Sequence, residues 1–144
     1  MAGLTFQATD DYRHGIAGVV IPCAEAKLVS TPDICDKAGL PYLSSDRVDV
    51  EGEPILGRGE ICVKGVNVTS GYYMMPEATK EAYDDDGWFH TGDIGQFMAD
   101  GSIKIVDRKK NLVKLKGGEY IALEKMESKF FVVVVAEGWD LSHC

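Results

Sequence analysis

In the stretch "DRKKNLVKLKGGEYI", residues 107 to 121, five cations stand against two carboxylates: Arg108, Lys109, Lys110, Lys114 and Lys116 against Asp107 and Glu119. A double glycine, Gly117-Gly118, follows at once. Two readings fit these residue types. Lys and Arg are most often a solvated face. Alternatively, fixed cations and the backbone N–H groups of a glycine turn converge on phosphate oxygens, and the missing Cβ lets the backbone come close. Upstream, "HTGDIG" (90–95) puts Asp93 after a Thr-Gly turn where a strand begins. A carboxylate there can close a turn, or can accept hydrogen bonds from the vicinal hydroxyls of a ribose.

The bulk properties narrow the classes. The chain has 144 residues, 45% of them hydrophobic, enough for a real core. Its formal net charge is −8, which argues against a nucleic-acid partner because no broad basic face can form. Cysteines at 23, 35, 62 and 144 make no C-x-x-C pair, and only three histidines are present, so neither a zinc site nor a disulfide framework is expected. Reduced thiols and a cytoplasmic setting follow as the expectation. No stretch reads as a signal peptide or approaches the roughly 20 apolar residues of a membrane span.

Several elements must position the chemistry. "AGVVIPCAEAKLV" (17–29) reads as one strand, with Ala24, Ala26 and Leu28 alternating with Glu25 and Lys27. Residues 31 to 57, broken by Pro32, Pro41, Pro54, Gly39, Gly52 and Gly57, read as a long surface connection. "RGEICVKG" (58–65) reads as a strand with Ile61 and Val63 on one side and Glu60, Cys62 and Lys64 on the other. Pro76 and Glu77 open a two-turn helix. "DIGQFMADGSIKIVDR" (93–108) reads as a hairpin turned at Asp100-Gly101. Leu123, Met126 and Phe130 keep helical spacing, and "MAGLTFQATDDYRHG" offers no element. Tyr73, Trp88 and Phe89 read as core aromatics, and His90 has no visible partner. The last residues, "FFVVVVAEGWDLSHC", change character into an apolar run of high β-propensity.

The ordered series "GEICVKGVNVTSGYYM", "GWFHTGDIG" and "DGSIKIVDRKKNLVKLKGGEYIALEKME" is similar to the adenylate-forming (AMP-binding) superfamily, and within it to the long-chain acyl-CoA synthetases. The similarity runs from about Gly15 to Ser128 and is densest from Gly87 to Glu127. The long-chain assignment rests on "DRKKNLVKLKGGEYI".

The resemblance implies a ligase that uses ATP and Mg²⁺ to join a fatty acid to AMP and then passes the acyl group to coenzyme A. By position, Asp93 matches the carboxylate that holds the ribose, and Arg108 an arginine on the same nucleotide. Lys110 matches the hinge between the large domain and the small C-terminal domain. Gly117, Gly118 and Glu119 match a loop on the coenzyme A side, and Gly71-Tyr72 a structural turn.

The expected fold is mixed α/β and β-rich. Residues 1–109 form a distorted β-barrel-like subdomain ending the adenylation domain, 110–129 the hinge and the start of the small domain, and 130–144 a divergent tail. The family's phosphate loop, its Tyr-Gly-x-Thr-Glu turn and its C-terminal lysine are not in these residues. The expectation is therefore a fragment that is inactive alone and exposes apolar surface. Any membrane anchor, on the endoplasmic reticulum, mitochondrial outer membrane or peroxisome, would lie elsewhere. The alternatives are a non-catalytic product binding nucleotide weakly or pairing with a partner, and a fragment of another acyl- or aryl-acid ligase.

Overall fold

The computed structural model describes residues 3–114 and 120–122. Its elements are β1 (Thr5–Phe6), β2 (Ile16–Val20), β3 (Ala24–Val29), β4 (Thr31–Cys35), β5 (Pro41–Tyr42), β6 (Ile55–Gly65), α1 (Pro76–Ala82), β7 (Phe89–Met98), β8 (Ser102–Arg108), a 3-10 turn (Lys109–Asn111), β9 (Leu112–Lys114) and β10 (Tyr120–Ala122). Six strands join in the order β1-β2-β8-β7-β6-β3, each pair antiparallel, into a sheet curled as a half-barrel. Two-stranded pairs, β4-β5 and β9-β10, stand beside it. The β-rich expectation holds. Residues 123 to 144, with the expected helix and tail, lie outside the described residues, as do Gly117, Gly118 and Glu119.

The central hairpin forms where its sequence places it. Gly101 takes φ +82°, its N–H reaches Met98 O at 2.9 Å, and Asp100 Oδ1 accepts from both the N–H and the hydroxyl of Ser102. Helix α1 also matches expectation, with proline in its first turn, Glu77 beside it and Tyr83 as C-cap.

Other expectations need correction. The run 17–29 is two strands, not one. The chain turns at Ile21 to Ala24 (Ala24 N to Ile21 O, 3.1 Å), and β2 pairs with β1 and β8 while β3 pairs with β6 at the far edge. Pro22 has no N–H for a ladder, which favours the break there. The opening residues supply β1, too short for periodicity to reveal. Across from it, Gly18 at φ +97° lies so close that a Cβ would sit 2.3 Å from Phe6 O.

Residues 31 to 57 are not merely a surface connection. They hold β4 and β5, buried Ile34 and Tyr42, and Asp36, whose carboxylate meets buried Arg58. Pro32 and Pro41 fall in a short peripheral pair, where a missing donor costs little, and Pro54 stands in an isolated bridge with Val48. On β6 the alternation is real, but both faces are covered, so Glu60 and Cys62 are as buried as Ile61 and Val63. Tyr73 is no core aromatic: it is 90% exposed, beside exposed Tyr72, Met74 and Met75 in the loop before α1. The exposed large apolar side chains among the described residues include these four, with Val66, Phe6, Leu40 and Leu56. Trp88 and Phe89 are half-buried. Trp88 lies under Lys27 Nζ, 4.5 Å from the ring centroid, and Phe89 packs with Ile61, Val63 and Ile103. A second cluster joins Ile34, Tyr42 and Ile94 to Val106 and Leu112. Burying each such side chain contributes about 1.5–3 kcal/mol.

Arg13 ties the first loop to the hairpin turn through Asp11 (2.7 Å) and Asp100 (2.6 Å). Hydrogen bonding to Arg13 lowers the Asp11 carboxyl to about 2, and bonds from Ser102, then Arg13, hold Asp100 below its ordinary value. Both are carboxylates with depressed folded-state values. Their contribution is therefore complete above the ordinary value of 3.8 and is lost as pH falls toward and through the depressed values. Carboxyl carbon titration by NMR should give an Asp11 midpoint near 2, with the hairpin's protection flat above pH 4 (roughly the ordinary carboxylate value) and falling below it. An Asp11 midpoint at 3.8 would show that Arg13 does not hold it in solution.

Candidate functional site

The site begins with a departure from regular pairing in β7. Opposite β6, the partners run Cys62 with His90 and then Glu60 with Ile94, so β7 takes four steps where β6 takes two. Thr91, Gly92 and Asp93 thus stand opposite Ile61 alone, two residues more than regular pairing needs, and bow away from β6. Gly92 takes φ +73°, which glycine allows. Thr91 pins the bow: its hydroxyl donates to Ile61 O at 2.7 Å and accepts the Asp93 N–H at 3.0 Å.

A second irregularity sets what Asp93 faces. Along the β7-β8 hairpin, Phe97 opposes Ile103, Gln96 opposes Lys104 and Gly95 opposes Ile105, but Ile94 then opposes Asp107 and Asp93 opposes Arg108. Strand β8 spends one more residue than β7 over this step, a β-bulge. Continued without it, the regular register would have set Asp93 against Asp107, and like charges directly opposite repel. With it, Arg108 Nε lies 3.2 Å from Asp93 Oδ1, the carboxylate 26% and the guanidinium 60% exposed.

Beside this pair a buried polar group has gathered. Glu60 Oε2 lies 3.3 Å from Lys109 Nζ and 3.5 Å from His90 Nδ1. His90 Nε2 is 3.8 Å from Asp84 Oδ2, which pairs with Lys27 Nζ at 3.2 Å. The hydrogen bond from the Trp88 N–H leads the effects that lower the Asp84 carboxyl below its usual range. Cys62 Sγ stands 3.4 Å from His90 Nδ1. Burial, with Glu60 adding, pushes the Cys62 thiol up to about 11, so it is neutral and no nucleophile.

Of the residues singled out in sequence, the fold brings Asp93 and Arg108 together and sets Lys110, exposed in the 3-10 turn, one residue beyond Lys109. Sequence reasoning missed Glu60, Lys109 and the environment of His90. Glu60 and Lys109 are 49 residues apart, and only the β6-β7-β8 pairing makes them neighbours.

Asp93, Arg108, Lys109 and Lys110 line an open cleft of about 1140 Å³ whose wall also includes Val63 and Phe89. A half-buried carboxylate there can accept from a diol, and the guanidinium can donate to an anion. Among the described residues, no group of three or more His, Cys, Asp or Glu is arranged to hold a metal ion. No helix among the described residues is long and apolar enough to cross a membrane.

No family model matches the chain. It is 46% identical over 127 residues to long-chain-fatty-acid–CoA ligase 6 of Rattus norvegicus, covering 88% of this chain and 16% of the relative. It is 40% identical over 130 residues to fatty acyl-CoA synthetase A of Dictyostelium discoideum, covering 90% of this chain and 18% of that one. The chain thus spans about a sixth of the length of the curated relatives it matches. Among solved structures, ATP-bound MatB from Rhodopseudomonas palustris is 32% identical with a TM-score of 0.60, over 87% of this chain and 22% of that one. The A-PCP didomain of carboxylic acid reductase from Segniliparus rugosus, in complex with AMP, is 37% identical with a TM-score of 0.61, over 77% of this chain and 14% of that one. Identity at this level across nearly the whole chain makes this sequence a homologue of one part of the long-chain-fatty-acid–CoA ligases, and the half-barrel that positions Asp93 and Arg108 is similar to that of solved adenylate-forming enzymes.

Proposed function

We propose that this chain serves as the nucleotide-handling segment of an ATP-dependent, AMP-forming long-chain-fatty-acid–CoA ligase. The observation that carries the reading is Asp93, in the part of β7 that bows away from β6, held against Arg108 where both line the open cleft. Asp93 accepts the ribose hydroxyls, and Arg108 holds the same nucleotide and keeps the carboxylate oriented. ATP supplies a leaving group that turns an unreactive fatty carboxylate into an electrophile. Mg²⁺ would accompany the phosphates and neutralise part of their charge during transfer. Lys110 is the hinge, one residue past the tethered Lys109, and a swing there lets one site serve adenylation and then transfer to coenzyme A. Gly117, Gly118 and Glu119, which lie outside the described residues, would act in the coenzyme A half-reaction.

The complete ligase works in the cytoplasm or at the endoplasmic reticulum, mitochondrial outer membrane or peroxisome. The names of the curated relatives favour long acyl chains over short or aryl acids. The complete ligase bearing this segment is expected to convert a sixteen-carbon acid, ATP and coenzyme A into acyl-CoA and AMP, read by mass spectrometry. The 144-residue chain alone should bind AMP weakly and make no acyl-CoA. Release of ADP in place of AMP, or preference for a short or aryl acid in competition, would overturn the assignment.

A further inference from the structure

Lys109 is the first residue past β8 and opens the 3-10 turn that carries Lys110. Its ammonium turns back 3.3 Å to Glu60, a carboxylate only 7% exposed. Glu60 sits on β6, whose ladder runs on both flanks, with Val29 opposite on β3 and Ile94 opposite on β7. The anion is therefore fixed by the sheet, while its cation, half exposed, belongs to the chain that leaves the sheet. A buried carboxylate needs a charge or donor partner. The other group within reach, His90 Nδ1 at 3.5 Å, carries charge only when protonated. Lys109 is thus the permanent cation at Glu60.

We infer that Glu60 is a positioning residue that holds Lys109, so that any rotation of the departing chain starts at Lys110 and not within β8. Arg108, one residue before the tether, then stays beside Asp93 while the segment beyond Lys110 changes orientation. The tether itself rests on geometry. Its effect on catalysis rests on the ligase reading above.

Glu60→Gln, Lys109→Gln and the double variant test this in the complete ligase, with two half-reactions measured separately. Fatty-acid-dependent ATP–pyrophosphate exchange reads adenylation, and release of acyl-CoA from preformed adenylate reads transfer. Each single variant is expected to change the ratio of the two rates by about fivefold or more, and the double variant to add little, as for residues that act as a pair. In parallel, trypsin is applied to the 144-residue chain carrying Glu60→Gln, which leaves both lysine cleavage sites in place. Cleavage after Lys109 and Lys110 should rise severalfold over wild type while the rest of the peptide map is unchanged. A parallel fall of both half-reactions together with melting temperature, additive single effects, or unchanged cleavage at these two lysines would overturn the tether. Wild-type ligase with no fatty-acid-dependent exchange would sink the functional reading instead, and the cleavage result would then decide the tether alone.

Discussion

Replacing Asp93 by alanine in the complete ligase is expected to lower kcat/KM for ATP by about 10²–10⁴-fold, because two hydrogen bonds to a charged acceptor contribute about 1.5–3 kcal/mol each. The carboxylate starts partly desolvated, at 26% exposure, and already oriented by Arg108, so little is lost in arranging it for a diol. Asp93→Asn keeps one acceptor and the shape of the side chain, and should fall between wild type and alanine. Stability should hardly move, since the side chain lies at the rim of the cleft and packs in neither apolar cluster. The decisive comparison is kinetic: an unaltered kcat/KM for ATP in a well-folded Asp93→Ala enzyme rules out the ribose role. A drop accompanied by a matching loss in melting temperature would show that Asp93 serves the fold instead.

The second large effect concerns stability. Arg58→Met is expected to destabilise the chain by about 3–5 kcal/mol, the range found when one member of a buried ion cluster is removed. The guanidinium is 5% exposed, with Asp36 Oδ2 at 2.6 Å from Nη1 and Asp46 Oδ2 at 2.7 Å from Nε. Its carbon lies 5.1 Å from the Tyr42 ring centroid. Burial alone would weaken the protonated form of Arg58, but the two carboxylates more than offset that and raise its pKa. Without the arginine, Asp36 stays at 4% exposure with its cation gone. Burial, with Asp36 next, pushes the Tyr42 phenol up to about 12, so it stays neutral and no cation replaces the arginine there. Urea unfolding followed by Trp88 fluorescence should show the midpoint falling with an unchanged slope. Replacing Arg58, Asp36 and Asp46 together by apolar residues of similar volume should recover much of the loss, since no buried charge is then left alone. A single variant within about 1 kcal/mol of wild type would show the cluster to be open to water.

Local signals in the sequence found what local forces decide. The Asp-Gly turn at 100–101 fixed the central hairpin, and Pro76 with Glu77 marked α1, because turn chemistry and helix starts depend on neighbours in the chain. The pairing of Asp93 with Arg108 lay within one hairpin, and motif resemblance reached it. The Arg58 cluster was invisible for the opposite reason: its anions stand 22 and 12 residues away, in a stretch whose prolines and glycines announce irregularity. Glu60 was misplaced because alternation tells which residues share a face of β6, but not whether that face meets water. Tyr73 failed similarly, since an aromatic in a loop carries no period to say which way it points. The split between β2 and β3 was carried by Pro22 alone, within an otherwise continuous apolar run.

The extra residue in β8 has a consequence for how this hairpin can change over evolutionary time. The half-barrel is read in pairs, and the step from Gly95–Ile105 to Ile94–Asp107 shifts the frame once, just before Asp93. Deleting Val106 would remove the bulge and still leave Asp93 opposite Arg108, because the residue lost is the one the register skips. A single-residue insertion there would move Arg108 out of register instead. Length can therefore drift by loss at Val106 or at the Asp100-Gly101 end, where strands can lengthen or shorten together, whereas a one-sided insertion near residue 106 acts as a frameshift in space without touching either charged residue.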